Sequence, residues 1–265
     1  MQIIEFCHIK NKFGNKSLNH VGGKNASLGE MYCNLSVSGI KVPNAFVLTT
    51  SCFDTFIKNN NLDNEIEQLM DIINTSDISD LRRKGLYIRT KISNGIFPDF
   101  LKQEIFTNYL QLSNNYKNIN GEPQDFTDVA VRSSSTAEDL PDASFAGLQE
   151  TYLNVRGERQ LLESIKNCFA SLYTDRAISY RKSMNYDKNV SISVCIQKMV
   201  RSDLGSSGVA FSIDSESGFK DTVLINASWG LGEMVVGGQV KPDEFIVFKK
   251  TLENAAITVA ITNNN

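Results

Sequence analysis

The sequence predicts an α+β protein of 265 residues, helix-rich over residues 1–120 and β-rich over residues 121–265. Three observations carry that expectation. Before residue 120 apolar side chains recur at three- and four-residue steps, the period of a helix face. After it come short β-branched runs bounded by turn residues. A single helical pair interrupts those runs, so strands and helices mix rather than forming a sandwich.

The elements follow in chain order. In "GGKNASLGEMYCNLSVSGI" Ala26, Leu28, Met31 and Leu35 share a helical stripe, Gly22-Gly23-Lys24 marks its start, and Gly39 suits a left-handed stop. "AFVLTTSCFDTFI" reads as a short strand, a Thr or Ser cap and a helix. Ile66, Leu69, Met70 and Ile73 predict the next helix, and Phe100, Leu101, Ile105, Phe106 and Tyr109 another, opened by Pro98. "SNNYKNINGEPQDFTD" lapses into Asn, Gly, Pro and Asp and reads as a connection between subdomains. Beyond it "DVAVR", "TYLNV", "VSISVCIQKMV", "GVAFSID", "TVLINAS" and "EFIVFKK" are predicted strands. Leu161, Leu162, Ile165, Phe169 and Leu172 mark the intervening helix, followed by "TDRAISYRKS". The tail gives one more strand and an Asn run.

Composition excludes several classes. A net charge of -3 and a pI near 5.5 lack the dense basic field that nucleic-acid binding requires. No apolar run approaches the roughly 18 residues that span a bilayer, and the first residues lack the pattern of a signal peptide, so a cytoplasmic location without a membrane partner is expected. Cys7, Cys33, Cys52, Cys168 and Cys195 are scattered and never spaced as CxxC, which predicts reduced, structural thiols. His8 and His20 read as surface side chains.

Several stretches have the chemistry of a phosphate site, which needs fixed cations and a close backbone approach. Lys24 follows two glycines at a helix start, where the helix dipole favours an anion; the alternative is an ordinary solvent-facing lysine. Arg132 ends the apolar run "VAV" before "SSST" and either forks onto phosphate oxygens or pairs with Glu138 or Asp139. "PDASFAGLQET" is either a small-residue loop over phosphates or a hairpin turn. "QKMVRSD" ends a strand at Gln197, where an edge with free backbone groups can read an adenine. Glu233, in "SWGLGEMVVGGQVKPDEF", either accepts from ribose hydroxyls or caps a turn.

Together "VGGKNASLGEM", "VAVRSSSTAEDLPDASFAGLQETYLNV", "DRAISYR", "QKMVRSDLGSSGVAFSIDSESGF" and "GLGEMVVGGQVKPDEF" resemble, in order and spacing, the N-terminal ATP-binding domain of the phosphoenolpyruvate synthase (pyruvate, water dikinase) family. The resemblance covers residues 21–249 or so and implies an ATP-grasp-like nucleotide-binding fold. It implies that Lys24 and Arg132 are the basic pair on the ATP phosphates, with catalytic weight. Ser144, Gly147 and Thr151 are then the phosphate-loop contacts, Gln197, Met199 and Val200 the adenine side, and Glu233 the ribose-side acid. The implied reaction takes ATP, pyruvate and water to AMP, phosphoenolpyruvate and phosphate through a phosphohistidine, with Mg2+ neutralising charge.

The chain also departs from the family. Nothing after Lys250 matches the acidic Mg2+-binding strand, so the metal-binding acids, the phosphohistidine domain and the pyruvate-binding domain are expected in a longer chain or a separate subunit. The ATP-binding fold is accordingly expected to be incomplete at its C-terminus, and the chain alone inactive. Two other readings stand beside this one: a non-catalytic or degenerate nucleotide-binding module, and the ATP-binding part of a rifamycin-type phosphotransferase.

Overall fold

A computed structural model describes residues 1–116, 126–136, 150–184, 190–252 and 259–262. It confirms the α+β mixture and divides the chain into two compact units, Met1–Met199 and Val200–Asn265. The composition shift near residue 120 and the unit boundary near residue 200 do not coincide, because one sheet draws strands from both sides of the shift.

That sheet has five antiparallel strands in the order β1-β2-β5-β3-β4. They are β1 (Ile3–Glu5), β2 (Ala45–Leu48), β3 (Val129–Ser135), β4 (Thr151–Val155) and β5 (Ile192–Lys198). Around it the first unit arranges α1 (Ile9–Phe13), α2 (Ser17–Leu35), α3 (Thr50–Asn59), α4 (Asp63–Ile72), α5 (Ile78–Asn94), α6 (Asp99–Asn114), α7 (Glu158–Ser171) and α8 (Asp175–Ser183). Of these, β1, α1 and α5 went unforeseen: the first two are too short for a period, and charged side chains interrupt the apolar stripe of α5.

The two faces of the sheet bury different cores. On one face Phe46, Leu48, Val129, Val131, Val194 and Ile196 join the helical side chains Phe56, Leu101, Ile105, Leu161 and Ile165. Phe56 sits 4.8 Å from Phe97 and 5.4 Å from Phe169, ring centre to ring centre. Burying each such ring is worth about 1.5–3 kcal/mol. Tyr109 in α6 adds direction to this core: its hydroxyl donates to the Thr127 carbonyl (2.7 Å) and accepts from the Gly157 N–H (3.2 Å), tying the approaches to β3 and α7. The other face is smaller, with Ile4, Val47 and Cys195 packed against Phe6, Ile9 and Val21.

Local chemistry sets the element ends. Asp77 caps α5 by accepting from the N–H groups of Ser79 and Asp80, and Thr174 caps α8 through Ala177. Thr49 occupies the cap position of α3 as expected, but its hydroxyl donates to the Met1 carbonyl (2.9 Å) instead. Gly39 takes φ +80° and ends the α2 segment in the left-handed conformation. In β4, Asn154 takes φ +56° and the register gains a residue between Tyr152 and Val155, which keeps both of those side chains on the larger core.

The second unit is an antiparallel sheet in the order β6-β7-β8-β9, from β6 (Ser206–Phe211), β7 (Thr222–Trp229), β8 (Asp243–Phe248) and β9 (Val259–Thr262). The short helix α9 (Gly232–Val236) follows β7. The "SIDSESGF" stretch is a closed turn in which Asp214 accepts from the Glu216 N–H (3.0 Å) and from Ser217, with Gly218 at φ +73°. Among the described residues no helix is long and apolar enough to cross a membrane.

One acidic group makes the first unit sensitive to low pH. Asp80 accepts from the Asn74 N–H (3.0 Å), Lys84 (2.7 Å) and Arg83 (2.8 Å), and these bonds hold its carboxyl down to about 2. Because the folded value lies below the unfolded one of about 3.9, the contribution is complete above that pH. It is lost as pH falls through about 2. Asp80→Asn is therefore expected to lose less stability than the parent between about pH 5 and pH 2. Urea midpoints at both pH values check this; parallel losses in the two proteins would contradict it.

Candidate functional site

The smaller face of the first sheet carries Arg132, Thr151 and Gln197, and one rung of it fixes where α2 meets that face. Ser134 of β3 stands opposite Ser193 of β5, and both are fully buried. The Ser193 hydroxyl donates to the Val21 carbonyl of α2, lies 3.1 Å from the Ser134 carbonyl, and accepts from the Asn25 side-chain amide at 2.9 Å. Gly22 lies between the two α2 residues so engaged. It adopts φ +73° and ψ 166°, and breaks the helix there. A Cβ on Gly22 would lie 2.3 Å from the Ser134 hydroxyl and 2.9 Å from its carbonyl oxygen, so only glycine permits this approach.

The expected helix start at Gly22-Gly23-Lys24 is thus a kink within α2, with Lys24 in the first turn beyond it. The stripe that α2 buries differs from the expected one. Val21, Asn25 and Gly29 are buried, Ala26 and Leu28 only pack beside the smaller core, and Met31 is 39% exposed. Small residues set the closeness of the helix to the sheet, and counting large apolar side chains misses that.

Arg132 precedes Ser134 by two residues on β3 and so points to the same face. The strand rise puts the two about 6.6 Å apart. Its Cα neighbours are Cys195 on β5 and Thr151 on β4, which makes Thr151 its exposed companion across the strands. The Gln197 side-chain oxygen Oε1 stands 3.5 Å from Arg132 Nη1, long for a charge-assisted bond, while the Gln197 side-chain amide Nε2 donates to the Pro43 carbonyl at 3.2 Å. Gln197 is therefore a fixed post beside the guanidinium. Burial pushes the Cys195 thiol up to about 12, against the opposing effect of the Arg132 charge, so Cys195 stays protonated and inert.

Ties on both sides of residues 137–149 keep the end of β3 in place. Ser133 exchanges backbone and hydroxyl bonds with Glu150, at 3.0 Å from the Glu150 N–H to the Ser133 hydroxyl. Thr136 does the same with Ser191, at 3.1 Å from the Ser191 N–H to the Thr136 hydroxyl. Ser144 and Gly147, expected as phosphate-loop contacts, lie outside the described residues, as do Glu138 and Asp139, the alternative partners for Arg132.

The adenine-side expectation needs one correction. Gln197 does not lie on an open edge, because β5 runs between β2 and β3 and pairs with Ala45 and Ala130 at that position. Met199 is also engaged: its N–H donates to Asp128 (3.0 Å), and its carbonyl accepts from the Lys198 ammonium (2.7 Å). Val200 is 60% exposed and begins the second unit. Within that unit Glu233 occupies the first turn of α9, after Gly230 at φ +88°. The Ser207 hydroxyl on β6 donates to the Gly230 carbonyl at 2.6 Å and so holds the glycine turn that presents Glu233.

A kinked glycine helix start beside an arginine on a sheet face is an arrangement suited to an anionic ligand. Comparison with known families shows the family to which the chain belongs. The pyruvate phosphate dikinase AMP/ATP-binding domain family matches residues 18–265, and the chain belongs to that family. Among curated relatives, the phosphoenolpyruvate synthase of Aquifex aeolicus is 55% identical over 87% of this chain. Those of Helicobacter pylori and Escherichia coli are 51% and 49% identical, each over 91% of it. The matched region spans 26%, 29% and 30% of those three proteins, so the chain corresponds to under a third of their length.

The serine rung itself was not foreseen; "SSST" and "VSISV" gave only its raw material. Ser193→Ala is expected to lower stability by about 1–3 kcal/mol, because the Asn25 amide and Val21 carbonyl lose their shared buried partner. Gly22→Ala is expected to cost at least as much, from its φ and from the clash with Ser134. Urea denaturation reads both; midpoints within error of the parent would show that the rung carries no such load.

Proposed function

We propose that this chain is the ATP-binding portion of a phosphoenolpyruvate synthase, with an ATP-grasp-like fold whose phosphate site centres on Arg132 and Lys24. The observation that carries the reading is the Gly22–Ser134 contact, which seats the helical turn of Lys24 on the sheet face that also bears Arg132. Membership of an AMP/ATP-binding family supplies the ligand class, and the synthase names of the relatives favour that enzyme over a rifamycin-type phosphotransferase.

In this reading the Arg132 guanidinium forks onto phosphate oxygens and Lys24 adds a second charge at the positive end of its helix segment. Thr151 offers a hydroxyl beside Arg132, with Ser144 and Gly147 as loop contacts. Gln197 holds the guanidinium laterally. With the backbone of Met199 engaged, its side chain is the adenine contact of the first unit, and Val200 and Glu233 are the adenine and ribose candidates of the second. The overall reaction converts ATP, pyruvate and water to AMP, phosphoenolpyruvate and phosphate; the phosphohistidine and pyruvate-binding parts belong to a longer protein or a partner, in the cytoplasm. Mg2+ would supply charge neutralisation of the phosphates. Among the described residues the only cluster of three or more potential metal-ligating side chains is Glu5, Cys7 and His8, which includes none of the phosphate-site residues.

Calorimetric titration with ATP tests the reading, with GTP as control. Arg132→Ala and Lys24→Ala are each expected to weaken ATP binding by about 1.5–3 kcal/mol, the worth of a hydrogen bond to a charged group, with the fold unchanged by circular dichroism. Unaltered affinity in both folded variants would remove the assignment.

A further inference from the structure

The N-terminal turn of the first unit gathers a second set of ligating groups, independent of the nucleotide site. Between Glu5 at the end of β1 and Ile9 at the start of α1, the residues Phe6–His8 form one 3-10 turn. Phe6 and Ile9 are buried and hold that turn in place, while Cys7 is half-buried and His8 exposed. As a result a carboxylate oxygen of Glu5, the sulfur of Cys7 and an imidazole nitrogen of His8 all lie within 4.8 Å of one another.

Two neighbours complete the set. Gln111 of α6 donates to the Glu5 carboxylate at 3.1 Å and fixes it from outside, as outer partners of metal ligands do. Helix α2 approaches on the other side through Gly29, where a Cβ would stand 3.0 Å from Ile9 and 3.3 Å from the Phe6 carbonyl. One helical turn later that approach brings Cys33 to Cys7, with its sulfur 3.8 Å from the Cys7 carbonyl oxygen. An open cleft of about 410 Å3, lined in part by Glu5, His8, Asn11 and Glu104, gives access from solvent.

We propose that Glu5, Cys7 and His8 bind one zinc-like divalent cation, with Cys33 as the fourth ligand. One carboxylate oxygen, one imidazole nitrogen and two sulfurs form a donor set for a borderline-soft tetrahedral ion, and hard cations such as Mg2+ favour oxygen instead. Ligand atoms on a tetrahedral zinc stand about 3.5 Å apart, so side-chain shifts of about 1 Å bring the Glu5, Cys7 and His8 donors to that spacing, and Cys33, outside the 4.8 Å set, turns in from α2. Binding forms the sulfur–metal bond, and the thiol proton passes to solvent. The ion fastens the N-terminal turn to α2, the helix that carries Lys24. The sequence hides the set because its cysteines are 26 positions apart and follow no metal-binding spacing.

Equilibrium dialysis of the full reduced chain against Zn2+ tests this, with Co2+ as the optical probe. The expected result is one tightly held ion per chain, and affinity reduced about tenfold or more in both Cys7→Ser and His8→Asn. The Co2+ complex is expected to show a thiolate charge-transfer band that weakens in both Cys7→Ser and Cys33→Ser. Circular dichroism confirms that each variant is folded. No ion retained by the folded parent, or retention unchanged in both Cys7→Ser and His8→Asn, overturns the site; an unweakened band in Cys33→Ser removes Cys33 from it.

Discussion

Ser193 ties β5 to α2 across 172 positions of the chain, donating to Val21 while accepting from Asn25, and its neighbour Ser134 leaves room only for a glycine at position 22. Everything proposed for the phosphate site depends on that contact. The buried bonds of Ser193 are stabilising only while both partners stay in place, and their loss leaves the Asn25 amide and the Val21 carbonyl without that partner and away from water. The same requirement makes the rung specific: it fixes where α2 kinks, and therefore which turn carries Lys24 onto the face of Arg132. The larger core on the opposite face contributes far more burial, but it does not choose this placement.

The division of labour between the two faces follows from strand alternation. Val129 and Val131 enter the larger core, whereas Arg132 and Ser134 face α2. A strand reading VAVRSSS thus supplies stability with one set of side chains and polar chemistry with the other. Cys195 is fully buried on this face, while Arg132 is half-buried and Thr151 beside it exposed, so the guanidinium is open to a ligand from solvent. An anion that displaces water there is attracted more strongly.

Long periodic helices such as α6 and α7, and the β-branched strands β3 to β8, were legible because their patterns are local. Arg132 and Lys24 were legible as candidates because a cation after an apolar strand and a lysine after two glycines are unusual residue contexts. What escaped was non-local. The Gln197 position looks like a strand end in one dimension, yet β2 and β3 flank it in the sheet. The unit boundary near residue 200 was also invisible, because pairing of β5 with β2 and β3 overrides the change of composition near residue 120. The buried face of α2 was misread for a related reason: Asn25 and Gly29 are buried by what they touch and not by their hydrophobicity.

The central claim is that Lys24 and Arg132 are brought to one ligand by the Gly22–Ser134 contact. A crystal structure of the chain with a non-hydrolysable ATP analogue tests it most directly. Phosphate oxygens are expected within hydrogen-bonding distance of both the Lys24 ammonium and the Arg132 guanidinium, with Gly22 still kinked against Ser134. An analogue whose phosphates lie away from this face, or touch neither cation, would contradict it.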